Sequence, residues 1–107
     1  MAYFRLLLFS IKKSFLMQPV IYNVLKEYFT EIHSNPIKAR IMSPINKEDI
    51  FVFQTSLYYK NYNSNDAYEP SASFTSFATA ERHLLQYLEE FQSALDMGGS
   101  IAKGSMI

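Results

Sequence analysis

Few side chains in this 107-residue chain can do acid–base or nucleophilic chemistry. The candidates are two acidic pairs, Glu48–Asp49 and Glu89–Glu90, and two imidazoles, His33 and His83; cysteine is absent. Paired carboxylates act as general acid and base only where a cleft gives them different environments. Glu48 and Asp49 stand at a loop end before an aromatic run, and Glu89 and Glu90 fall on the polar side of a helical pattern, so both pairs read as solvated charges. His33 closes what reads as a helix, where the dipole favours an imidazolium. His83 lies four residues from Tyr87, on a boundary between core and solvent. Without cysteine there is no disulfide, thiolate nucleophile or Cys/His zinc site. All three glycines follow Met97, which leaves no glycine-rich phosphate loop. The expectation is a chain that is not an enzyme and carries no metal or cofactor; the catalytic alternative is a site completed by oligomerisation, with His33 or His83 as base.

Recognition chemistry is better represented. Tyr58, Tyr59, Tyr62 and Tyr68 are interleaved with Lys60, Asn61, Asn63 and Asn65, and Asp66 and Glu69 lie in the same stretch. Tyrosine supplies contact area at low entropic cost and asparagine supplies adaptable hydrogen bonds, a composition typical of contact loops. Tyrosine beside lysine also suits stacking on single-stranded bases. An ordinary polar loop, with its rings laid over a sheet edge, is the plain structural reading.

The formal net charge is zero, from ten basic and ten acidic residues, which argues against a generally basic nucleic-acid binder. Neutrality is an average over unlike halves. Residues 1–47 hold seven Lys and Arg against two Glu, a surplus of five positive charges, and residues 48–107 hold three against eight, a deficit of five. Either the halves pair intramolecularly or the surface is polarised toward its partners. In the basic half, extended to residue 60, Lys38, Arg40, Lys47 and Lys60 are the candidate phosphate contacts for a nucleic-acid reading.

Of the residues, 49% are hydrophobic and 16% aromatic, enough for the core of one domain and too much for general disorder. Residues 1–17 form an apolar, basic N-terminal segment that reads as a strand, a helix or an extension ahead of Met17. Its apolar run Leu6–Phe9 is too short for a secretory signal, and Arg5, Lys12 and Lys13 interrupt any spanning window. A basic amphipathic helix for targeting or a membrane surface is the remaining special reading.

A single domain is expected over residues 18–99. Pro19 suits a helix start, and Val20, Val24, Leu25, Tyr28 and Ile32 recur at near-helical spacing until the breaker cluster Ser34–Asn35–Pro36. Ile37 to Met42 alternates as a strand, and Phe51–Tyr59 (FVFQTSLYY) is a second strand that pairs with it as an antiparallel hairpin. Lys60–Ser71 reads as a loop and Ser73–Phe77 as a short third strand. A final helix starts at Thr79 as N-cap, carries Leu84, Leu88, Phe91 and Leu95, and ends at Gly98–Gly99. Residues 100–107 read as a flexible tail. The fold class is therefore α+β, a small three-stranded antiparallel sheet with two main helices on one face in the order α-β-β-β-α.

That order resembles the double-stranded-RNA-binding domains, and its last part, running through Phe77, Thr79 and Glu81 into a helix, resembles the arm-binding domains of phage integrases. The resemblance is one of element order. The RNA-binding family implies a basic start to the final helix, where this chain has Thr79, Ala80, Glu81 and Arg82, and the integrase domains imply basic sheet residues, for which only Lys38 and Arg40 qualify.

The functional expectation is a cytoplasmic protein-binding protein of the inhibitor, immunity or regulatory-subunit kind. It contacts one protein partner through Tyr58, Tyr59, Tyr62, Tyr68, Asp66 and Glu69. A nucleic-acid module using Lys38, Arg40, Lys47 and Lys60 is the alternative, and exposed strand edges also permit a homodimer.

Overall fold

Eight of the thirteen residues from Val20 to Ile32 are β-branched or aromatic, the types that pack best on a pleated surface. In the computed structural model, which describes residues 19–47, 49–70 and 73–106, this run is a strand, β1 (Tyr22–Ile32), and not the expected helix. It pairs antiparallel along its whole length with β2 (Asn35–Pro44), from Ile32↔Asn35 to Tyr22↔Pro44, with a bulge at Leu25. The supposed breaker cluster is the hairpin turn. His33 and Ser34 adopt φ of 51° and 65°, the doubly left-handed geometry that matches strand twist in two-residue hairpins. The Asn35 side-chain amide donates to the carbonyls of Ile32 and His33 and holds that geometry. Pro36 is tolerated inside β2 because β3 does not reach it, so no ladder bond is lost on that side.

The expected hairpin between the next two runs is present. β2 pairs with β3 (Val52–Thr55) in the register Met42↔Val52 to Ala39↔Thr55. The run FVFQTSLYY is divided, however. Ser56 donates its N–H to the Lys38 carbonyl and accepts from the N–H of Gly104, and beyond it β4 (Leu57–Lys60) changes partner. Its new neighbour is β5 (Ser100–Lys103), which lies in the segment expected to be a tail. The expected third strand over Ser73–Phe77 reduces to one bridge, Phe51↔Phe74, before the helix begins.

The helix α1 (Phe77–Asp96) starts two residues ahead of the expected cap. Ser76, not Thr79, is the N-cap, its Oγ accepting from the Thr79 N–H at 3.1 Å. Ala80, Leu84, Tyr87, Phe91 and Ala94 form its buried stripe, at spacings of three and four. They face Ile37, Ala39 and Ile41 of β2, Phe53 of β3 and Tyr59 of β4; Thr55 of β3 is also fully buried. Each large side chain fully buried here, such as Leu84 or Phe91, contributes about 1.5–3 kcal/mol. After Met97, Gly98 at φ 95° turns the chain, and Gly99 donates back to the Ala94 carbonyl at 2.8 Å.

Among the described residues the architecture is thus α+β with a three-stranded antiparallel sheet, β1-β2-β3, a two-stranded sheet, β4-β5, and one helix. The α-β-β-β-α order, and with it the resemblance of element order to RNA-binding and integrase domains, is replaced by β-β-β-β-α-β. The N-terminal segment 1–17 lies outside the described residues. Among those described, no helix is long and apolar enough to cross a membrane.

Candidate functional site

The Tyr/Asn stretch folds back over the second sheet. Asn63 takes a left-handed φ of 63°, Ser64 donates to the Asn61 carbonyl at 2.9 Å, and the Asp66 N–H donates to Ser64 Oγ. Further along, Tyr68 donates its N–H to the Tyr59 carbonyl at 2.8 Å, and its own carbonyl accepts from the Tyr87 hydroxyl at 2.6 Å. The loop is therefore pinned at Tyr68 to both β4 and α1.

The six candidate contact residues separate into two groups. Tyr59 is 3% exposed and belongs to the core, its ring against Tyr87, Phe91 and Tyr68 at centroid distances of 5.2–5.5 Å. Tyr58 is half-buried. Tyr62 and Tyr68 are 67% and 48% exposed, and Asp66 and Glu69 are exposed beside them. Tyr62 lies against Gly98 and Tyr68 meets Tyr59 edge-on, so both rings rest on fixed supports. Burial, then the charge of Glu90, pushes the Tyr59 hydroxyl well above its ordinary range; burial does the same for Tyr87. Both phenols stay protonated near neutral pH.

Between this loop and α1 lies a cavity of about 240 Å³. The helix contributes His83, Gln86, Tyr87 and Glu90, β3 contributes Phe53, and the loop contributes Tyr68, Pro70 and Phe74. Phe74 is stacked between two rings, Phe53 at 5.9 Å and 4° and His83 at 4.7 Å and 24°. Glu90 accepts from the Tyr59 hydroxyl at 3.4 Å and from the Gln86 amide at 3.2 Å. The sequence treats Glu90 as a solvated charge and Phe74 as a strand residue. The spacing of 83, 87 and 90 along one helix face was the available signal that these residues share a wall.

The remaining candidates are dispersed. His33 sits in the β1–β2 turn, where its Nε2 lies 2.6 Å from Asp96 Oδ1, far from His83 on the helix. Asp49 is exposed, and Glu48 lies outside the described residues. Lys38 and Arg40 project from the face of β2 opposite the helix; Arg40 donates through Nε and Nη2 to Gln54 Oε1 and stands opposite Glu27 on β1. Lys47 is exposed in the turn after β2, and Lys60 belongs to the other sheet, opposite Ser100. Among the described residues no three His, Asp or Glu side chains are grouped as a metal site would need.

Charge pairing draws the halves together at Glu81. Lys26 and Tyr28 of the basic half both donate to Glu81 Oε2 on the helix, at 2.8 and 2.6 Å. Comparison of the chain with protein-family models, with curated proteins and with solved structures finds no match.

Proposed function

We propose that this chain is a non-enzymatic protein that binds one protein partner, as an inhibitor, an immunity-type protein or a regulatory subunit does. The observation that carries the reading is the pinned loop of residues 61–69. It holds the exposed rings of Tyr62 and Tyr68 next to the carboxylates of Asp66 and Glu69 on a supported backbone. Binding orders the groups it uses, and a loop already fixed by Tyr59 and Tyr87 loses less freedom on contact. Its acidic rim suits a partner surface rich in Lys and Arg.

The test is affinity capture of the tagged chain from lysate of its native host, with and without nuclease, followed by mass spectrometry. One stoichiometric protein that persists after nuclease supports the proposal. Tyr62→Ala should then weaken the purified complex by about 2 kcal/mol, the loss typical of a central aromatic anchor. Recovery of many proteins that vanish with nuclease would overturn the proposal and favour phosphate contact through Lys38 and Arg40.

A further inference from the structure

β1 is the long edge of the three-stranded sheet: among the described residues it has a neighbour on one side only, β2. The two-residue turn makes Ile32↔Asn35 a hydrogen-bonded pair, so the alternate residues back along β1, Thr30, Tyr28 and Lys26, bond to β2. The backbone groups of Glu27, Phe29 and Glu31 therefore point away from β2. Lys38, opposite Phe29, agrees with this, since its N–H and carbonyl turn to Ser56 on the β3 side. Lys26 and Tyr28 reach Glu81 on the helix, so Glu27, Phe29 and Glu31 carry their side chains on the other face of the sheet. Phe29 is 64% exposed there. Among the described residues neither Glu27 nor Glu31 is in an ion pair, and Arg40, opposite Glu27, is bonded to Gln54. An unpaired edge of this length, with an exposed aromatic ring on it, is a template for one more strand.

We propose that this edge is the docking site of the chain's own N-terminal segment, residues 3–13 adding to β1 as an antiparallel fourth strand. The occupant follows from reach, polarity and charge. Eighteen residues precede Pro19, enough for a strand of that length and a connection that reverses the chain into Tyr22. The segment is apolar and basic, with Arg5, Lys12 and Lys13 and no acidic residue before Glu27. The register that sets Arg5 opposite Glu31 also sets Leu7 opposite Phe29, so one ion pair and one apolar pair form side by side. It leaves residues 14–21 for the connection, below the length of about 12 beyond which structureless loops are uncommon. A second copy of β1 fits worse: centred on Phe29, it sets Glu27 of one copy opposite Glu31 of the other, twice. The strand needs neither the partner nor the loop proposed above, so it stands or falls independently of them.

The experiment is NMR of the intact, isotope-labelled chain, reading amide hydrogen exchange and cross-strand nuclear Overhauser effects at two protein concentrations. The amides of Glu27, Phe29 and Glu31 should be protected to the same degree at both concentrations, and Phe29 should show Overhauser contacts to Leu7. Arg5→Glu should speed exchange at Phe29 and Glu31 by about threefold or more, and adding Glu31→Arg should restore the protection. Unprotected amides at these three positions, or protection without contacts from β1 to residues 3–13, would overturn the proposal. Protection that grows with concentration would also overturn it, and would assign the edge to a second copy. So would unchanged exchange in a folded Arg5→Glu variant. Should that variant not fold, the Overhauser contacts on the native chain decide the matter.

Discussion

His33 and Asp96 meet at 2.6 Å, Nε2 against Oδ1, across sixty-three residues of chain, and so tie the β1–β2 turn to the last turn of α1. The imidazole, then the Gln92 amide, holds the Asp96 carboxyl below its ordinary value of 3.8. A carboxyl depressed in the folded state takes up its proton more readily when unfolded. Its contribution to stability is thus complete above pH 3.8 and is lost as the pH falls below that, through the folded value. In urea unfolding at a series of pH values, the stability difference between wild type and Asp96→Asn should shrink as the pH drops below 3.8. A constant difference would mean that Asp96 acts by packing alone.

Glu81 is the second clasp, receiving Lys26 and Tyr28 from β1. The hydrogen bonds from Lys26 and Tyr28 lower its carboxyl below the ordinary 4.5. Both contacts grip an edge strand that is otherwise mostly exposed. Glu81→Gln should therefore speed hydrogen exchange at the amides of β1 more than at those of β2, whose other side is paired with β3. Uniform acceleration across both strands would show that the clasp stabilises the domain as a whole.

The three glycines are not interchangeable. A Cβ on Gly99 would fall on the Lys60 carbonyl oxygen, and one on Gly104 on the Thr55 carbonyl oxygen. Neither obstacle is a flexible side chain, so Gly99→Ala and Gly104→Ala should each cost about 1–3 kcal/mol in denaturant unfolding. At Gly98 the obstacle is conformational, φ 95°, with the Tyr62 ring nearby. Its alanine variant should lose about 1–2 kcal/mol.

Tyr59 offers a direct check on its transfer from contact loop to core. Its hydroxyl makes one long bond, 3.4 Å to Glu90, while its ring is packed on three others. Tyr59→Phe should change stability by less than about 1 kcal/mol. Tyr59→Ala should cost about 3–5 kcal/mol, comparable with Phe91→Ala. Calorimetric melting of the three variants separates these outcomes.

The helix and the β2–β3 hairpin were legible because each has one dominant period. Leu84, Phe91 and their neighbours recur every three or four residues, and Ile37, Ala39 and Ile41 alternate without interruption. Residues 20–32 fit both periods: Val20, Val24 and Tyr28 suit a helix, while Tyr28, Thr30 and Ile32 line one face of a strand. The bulge at Leu25 breaks the alternation that would have decided for β1. His-Ser is also an unusual pair for a left-handed turn, which is why Ser34–Asn35–Pro36 reads as a helix stop. β5 was hidden for another reason: its four residues, Ser-Ile-Ala-Lys, have no strong pattern and are placed by the close backbone approaches of Gly99 and Gly104. The loop tyrosines were recognisable by composition. That Tyr59 would turn inward and Glu90 would face a cavity depends on the path of the loop, which no local pattern encodes.

The division of one extended run at Ser56 also sets an order of events during synthesis. β3 finds β2 just upstream, so the first sheet can close as soon as that hairpin has emerged. β4 must wait for β5, whose pairing residues lie forty or more positions later, from Lys60↔Ser100 to Leu57↔Lys103. At ordinary elongation rates that interval is roughly 2–8 s. Through it, β4 has only the Tyr59–Tyr68 bridge, and Leu57 and Tyr58 present an unpaired edge on the nascent chain, a surface suited to cover by a ribosome-bound chaperone.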